Sequence, residues 1–268
     1  MNVRGGDGVG LAVVDFGGDG PPVLFLHGLA GHAGEWSRVA SRLPREFHVL
    51  ALDLRGHGNS ERRPADASID AHVEDVAMVA ERLSPGEPLH LIGQSVGGIV
   101  AFVTAARRPD LVRGLVVVEA SPSGPHPDAA ASISSWLDSW PHPFASREDA
   151  VRFFGGPPHA DGWVDGLVER ADGWWPRFDR KVMVAIMESA AGRAWWDERA
   201  NVRCPALLVR GDAGWIPEAE LTAMAGRLAG VETATVPAAR HDVHLDNAAG
   251  FTDVLVRFLK RTASGTGL

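Results

Sequence analysis

The sequence predicts an α/β protein with a mostly parallel, doubly wound sheet and one large insertion. Three observations predict it. Apolar runs alternate with helical patterns along most of the chain, the order that sets parallel strands between layers of helices. The runs from residue 22 onward are nearly continuous in hydrophobicity, as strands buried on both faces must be. The alternation stops between about 121 and 201 and then resumes, which marks an insertion. At 268 residues, 45% of them hydrophobic, the chain can bury one large core.

Strands are expected at 9–16, 22–27, 47–53, 89–93, 114–119, 206–211 and 231–236, where β-branched and bulky apolar residues cluster. The first precedes the alternation and is expected at an antiparallel edge. Helices are expected at 34–43, 70–83, 97–107, 217–229 and 248–260. This gives a core formed by 1–120 and 202–268, interrupted by 121–201. The insertion opens with Ser121-Pro122-Ser123-Gly124-Pro125-His126-Pro127 and carries no good strand pattern. Its helices are expected near 129–140, 146–154, 161–171 and 178–191.

The most informative local feature is Gly93-Gln94-Ser95-Val96-Gly97-Gly98, between the run Leu89–Ile92 and a helical run from Ile99. A G-x-S-x-G turn between strand and helix strains its central residue and lifts that side chain out of the sheet edge. Ser95 is therefore the candidate nucleophile. A serine hydroxyl needs a base to take its proton, and the base needs an orienting acid. On such a sheet these follow in the order serine, acid, histidine. Only His241 and His244 lie C-terminal to position 159 among 11 histidines. Both sit in a loop after the last expected strand, where a base can reach Ser95. His241 is expected as the base, and His244 as a packing or hydrogen-bonding residue.

These residues resemble the α/β-hydrolase superfamily, and the resemblance covers nearly the whole chain. Leu24-Phe25-Leu26-His27-Gly28-Leu29 is similar to the family's strand ending in His-Gly, whose loop lines the oxyanion hole. Asp53-Leu54-Arg55-Gly56-His57-Gly58-Asn59-Ser60 resembles its D-x-R-G-x-G-x-S turn. Arg240-His241-Asp242-Val243-His244 resembles its histidine loop, with Arg240 where glycine is usual. The resemblance implies an α/β-hydrolase fold in which 121–201 is a helical cap. It also implies an oxyanion hole made by the backbone N–H groups of Leu29 and Val96. His27 and His57 are expected to bond backbone and hold their loops.

The acid departs from the family's pattern. Most relatives carry it in a G-x-x-D stretch, and here the matching position, after Gly211, is Gly214. Two carboxylates remain. Glu119 ends the strand that follows the nucleophile helix, the alternative acid position of some dehalogenases and lactonases of this fold. Asp212 lies on the usual loop, where its other reading is a cap for the helix near Pro217. Glu119 is favoured, and Asp212 is kept as the alternative.

Seven of the nine tryptophans fall in the insertion, and the chain has no tyrosine. Trp136, Trp140, Trp163, Met183 and Met187 are the candidate walls of an apolar substrate pocket, set against the plainer reading that they form the cap's own core. A net charge of −8, without a long basic run, argues against nucleic acid or an anionic membrane as partner. A single cysteine, Cys204, allows no internal disulfide. The segment Met1 to Asp7 has no apolar core of a secretion signal, so cytoplasmic residence is expected. No metal-ligand spacing, phosphate loop or dinucleotide fingerprint occurs, so no cofactor and no metal are expected. The expected partner is a small-molecule substrate, with an acyl carrier or thioester donor as a further candidate. The reading is a serine hydrolase acting on a carboxylic ester or lactone. An acyltransferase using the same residues and a non-catalytic receptor on the same fold are its alternatives.

Overall fold

The computed structural model describes residues 1–124, 126–228 and 230–263. Ten strands occur among them: β1 (Asn2–Arg4), β2 (Gly10–Gly17), β3 (Pro22–Leu26), β4 (His48–Asp53), β5 (Leu89–Gln94), β6 (Val112–Val118), β7 (Leu167–Arg170), β8 (Gly173–Pro176), β9 (Ala206–Gly211) and β10 (Val231–Val236). Eight form one sheet in the order β1-β2-β4-β3-β5-β6-β9-β10. Pairing is antiparallel for β1–β2 and β2–β4, and parallel from β4 to β10. The expected first strand, β2, is antiparallel but does not form the edge. Asn2–Arg4 pairs outside it, a run too short to show a period of two in the sequence.

The interior strands are buried along almost their whole length, β5 at every position. Helices fill both faces because their apolar residues recur at helical spacing. Helix Ile69–Leu83 is capped by Ser68, whose hydroxyl accepts from Ala71 N at 3.2 Å. Helix Ala248–Ala263 buries Phe251, Thr252, Leu255, Phe258 and Leu259, one stripe of its surface. Helix Val96–Arg107, which follows Ser95, is buried on nearly all sides, because the sheet lies under it and the inserted segment over it. The expected helix at 34–43 is shorter, a 3-10 turn over Ala33–Trp36 and one turn over Ser37–Ala40. The helix expected to reach 229 ends at Ala225, and Ala229 itself lies outside the described residues. So do Pro125 of the insertion's first loop and the last residues, 264–268, of the expected core.

Between β6 and β9 run helices Ala129–Asp138, Arg147–Phe153, His159–Asp165 and Arg180–Ala191. The expected helix at 161–171 is corrected. It stops at Asp165, and β7 and β8 form an antiparallel hairpin from Leu167 to Pro176. Gly166 and Gly173 flank β7 and the turn after it, and Trp174 and Trp175 beyond that turn suit a pleated ribbon as well as a helix. Trp140 packs edge-on against Trp136, Trp163, Phe154 and Phe178, so the aromatic residues form this segment's own core. No described helix is long and apolar enough to cross a membrane.

Candidate active site

Ser95 sits at φ 52° and ψ −121° between β5 and its helix. Four non-glycine residues have positive φ among the described ones: Ala30, Ser95, Glu119 and Ala238. All four stand on loops at the C-terminal strand ends, where ligands bind in such sheets. Strain of this kind, about 1–3 kcal/mol per residue, persists only where the surroundings enforce it. Here the glycines of the turn enforce it. A Cβ on Gly97 would lie 2.4 Å from His27 O, and one on Gly93 would lie 2.1 Å from Gly97 O. Strand, helix and the next loop can meet this closely only without side chains.

The loop after β3 lies against the serine, since a Cβ on Gly28 would be 3.3 Å from Ser95 Cβ. Two buried imidazoles shape it. His27 donates from Nδ1 to Gly28 O at 2.7 Å and accepts at Nε2 from Leu54 N at 3.0 Å. His57 donates from Nδ1 to Arg55 O at 3.0 Å and accepts at Nε2 from Ala30 N at 3.1 Å. Accepting at Nε2 needs the neutral ring, and burial pushes both imidazoles below their ordinary range. Asp53 completes the brace, accepting from Ala33 N at 2.6 Å and Asn59 N at 2.8 Å. The amides of Leu29 and Val96 donate to no group among the described residues. Orphan donors of this kind beside the candidate nucleophile are what an oxyanion site would require.

The two candidate acids separate clearly. Glu119 is 2% exposed. Its Oε1 accepts from Gly211 N at 2.8 Å, and its Oε2 from Trp215 N at 2.7 Å and Ile216 N at 3.3 Å. His241 Nδ1 approaches Oε2 at 3.4 Å. Asp212 instead accepts from Ala238 N at 3.0 Å and Ala239 N at 3.1 Å, and those N–H groups lower its carboxyl below the usual range. It does not cap the following helix, whose N-cap is Pro217 with no side-chain bond. Gly214, at the usual acid position, has no room for a side chain. A Cβ there would lie 2.0 Å from Glu119 Oε1.

Among the described residues neither the remaining ring nitrogen of His241, Nε2, nor Ser95 Oγ has a hydrogen-bond partner. A nucleophile–base bond that tightens only with substrate in place is common. The histidine loop is held from below by Gln94, whose amide donates to His241 O at 3.1 Å and Asp242 Oδ1 at 3.3 Å. It is held from above by the inserted segment. Trp163 Nε1 donates to Asp242 Oδ2 at 3.1 Å, and His159 lies 3.1 Å from Asp246 and 3.5 Å from Asp242. His244 packs, as expected. It stacks on Trp36 and donates from Nε2 to Glu35 Oε1 at 3.0 Å. Burial pushes the Glu35 carboxyl up, but the imidazole more than offsets this and leaves it below the ordinary range.

Of the candidate pocket residues, Trp140 and Trp163 line a cavity of about 10 Å³ beside Ala30 and Gly31 of the loop after β3. Met183 is fully buried and lies against Gly56 of the turn after β4. Trp136 stands one ring further out, against Trp140 and Trp163, and Met187 packs on the main core. Gln94, His159, Asp242 and Trp215 escaped the sequence reading. Only Gln94 and Asp242, each next to a predicted catalytic residue, carried a signal. Among the described residues no group of three or more His, Cys, Asp or Glu is arranged to hold a metal ion.

Sheet order and the strained serine after β5 define an α/β-hydrolase fold. A family model described as alpha/beta hydrolase fold matches residues 21–248, and the chain belongs to that family. It is 37% identical over 155 residues to a pimeloyl-[acyl-carrier protein] methyl ester esterase of Chromobacterium violaceum, covering 54% of this chain and 58% of that protein. It is 27% identical over 266 residues to the mouse (Mus musculus) sn-1-specific diacylglycerol lipase ABHD11, covering 89% and 81%. The chain thus spans little more than half the length of the first of these relatives. Among solved structures, E-2-(acetamidomethylene)succinate hydrolase superposes with a TM-score of 0.85 at 23% identity, over 97% of this chain and 99% of that one. An esterase from Thermogutta terrifontis superposes with a TM-score of 0.81 at 23% identity, over 98% and 99%. At that identity the likeness bears on the fold.

Proposed function

We propose that this protein is a serine hydrolase that cleaves a carboxylic ester or lactone of a small, largely apolar substrate through an acyl-enzyme on Ser95. The observation that carries the reading is the buried Glu119 carboxylate, cradled by three amides and 3.4 Å from His241 Nδ1, on the same sheet edge as the strained Ser95. In this reading His241 Nε2 takes the Ser95 proton as Oγ attacks the carbonyl carbon. The N–H groups of Leu29 and Val96 stabilise the oxyanion, and Glu119 stabilises the imidazolium. The tetrahedral intermediate collapses as His241 returns the proton to the leaving alkoxide. Water, deprotonated by the same nitrogen, then releases the acid. Residues 121–201 act as a cap that supplies the apolar walls. The esterase and lipase names of the relatives support the bond class. The relative that acts on a carrier-linked methyl ester makes acyl-carrier esters the second substrate class to test.

Stopped-flow release of p-nitrophenol from short-chain esters tests the reading. Steady turnover, lost by about 10³-fold or more in Ser95→Ala, is expected. A burst equal to the enzyme concentration followed by a stall would point to acyl transfer to a nucleophile other than water. Ser95→Ala with undiminished turnover would refute the mechanism.

A further inference from the structure

Trp215 is 69% exposed, yet its ring lies flat on the His241 imidazole. The ring centroids are 3.7 Å apart and the planes differ by 14°. Its backbone N–H donates at 2.7 Å to Glu119 Oε2, the oxygen that His241 Nδ1 approaches at 3.4 Å. One residue therefore touches both members of the acid–base pair, the carboxylate through its amide and the imidazole through its ring. The contact to Glu119 is longer than the roughly 2.7–2.9 Å of a charge-assisted bond. Such a bond constrains the imidazole weakly, and only in its own plane. A ring stacked at 3.7 Å constrains the direction that the bond leaves free. It also presents a π face to the ring on which positive charge develops.

We infer that Trp215 is a positioning residue for the hydrolysis proposed above, on which this inference rests: its indole face fixes the His241 ring plane and stabilises the imidazolium that forms as Ser95 is deprotonated. An aromatic face attracts a cation by an amount equivalent to about a 3- to 30-fold rate effect. A neutral ring gains less, so the contribution falls on kcat. The backbone bond to Glu119 survives any side-chain replacement at 215 except proline, so the ring can be tested with the carboxylate cradle intact.

The test compares Trp215→Phe, Trp215→Leu and Trp215→Ala with wild type by the rate at which a fluorophosphonate labels Ser95. In that step Oγ bonds to phosphorus, fluoride leaves and the Ser95 proton passes to His241 Nε2. It thus reads the base without depending on the natural acyl group. A fall of about 3- to 30-fold for Leu and Ala is expected, with most of the rate kept by Phe and with kcat rather than KM moving on an ester. Leucine restores apolar cover but has no π face, so equal rates for Leu and Phe would overturn the inference and leave the hydrolase reading standing. Failure of wild-type Ser95 to label would instead overturn the hydrolase reading. Carbethoxylation of His241, followed on its peptide by mass spectrometry, would then decide whether the stack holds the ring. Faster modification in Trp215→Ala supports the stack, and an unchanged rate refutes it.

Discussion

Gly214→Asp returns a carboxylate to the position where the family's usual acid falls, and the structure makes it a damaging change. The new Cβ would lie 2.0 Å from Glu119 Oε1, 2.4 Å from Cδ and 2.7 Å from Oε2. Real Cβ atoms keep at least 3.0 Å, so about 1 Å of overlap must be relieved. Glu119 is buried and ties down the amides of Gly211, Trp215 and Ile216, so relief means breaking that cradle. Overpacking costs about 1–3 kcal/mol, and each buried amide left without an acceptor costs about 1–3 kcal/mol. Since Trp215 N and Ile216 N are partly open to water, a total of about 3–5 kcal/mol is expected. Displacing Glu119 from His241 should also lower kcat by about 10²- to 10⁴-fold. Urea unfolding and ester turnover read the two effects. The double variant Glu119→Ala/Gly214→Asp supplies the positive arm. It empties the space and sets an aspartate Cβ within 2.7 Å of the old oxygen positions. It should regain at least about 10-fold in kcat over Glu119→Ala. Wild-type stability and activity for Gly214→Asp alone would refute the reasoning.

Two further outcomes are expected. Trp163→Phe keeps the aromatic packing but removes the indole N–H that ties Asp242 to the inserted segment. A loss of about 1 kcal/mol is expected, seen as a roughly fivefold lower kcat/KM with little change in the unfolding midpoint, and an unchanged kcat/KM would show that this tie does not position His241. His72 and His90 are buried, and desolvation lowers each from 6.5 to about 4. Their unfolded forms bind protons that the folded forms refuse. Stability should therefore be full above about pH 6.5 and fall as the pH drops toward 4, by about 2 kcal/mol per histidine at pH 5. His90→Leu should remove that share of the loss between pH 7 and pH 5, as measured by urea unfolding, and an unchanged slope would exclude His90 as a source.

The alternation of strands and helices, the turn at Ser95 and the histidine loop are legible in the sequence because each is a short-range pattern. Both glycines flanking Ser95 lie within a few residues of it: Gly93 is demanded by the meeting of its strand with the next helix, and Gly97 by the carbonyls of Leu26 and His27 on the neighbouring strand and loop. The insertion is legible as the absence of such a pattern. Its hairpin is not, because Trp174 and Trp175 suit either state and pairing with Phe144 and with β7 decides it.

The acid shows the boundary most clearly. The residue pattern alone excludes Gly214, which has no side chain, and leaves Glu119 and Asp212. Which carboxylate meets His241 depends on sheet register, because the parallel pairing of β6 with β9, Val118 beside Val209, aims Glu119 into the loop after β9. The same loop turns Asp212 toward Ala238 and Ala239 and lays Trp215 across the imidazole. Those contacts join residues 92 to 122 positions apart for Glu119, 26 and 27 apart for Asp212 and 26 apart for Trp215. Local propensity holds no record of such distances. They are fixed by sheet register and close packing.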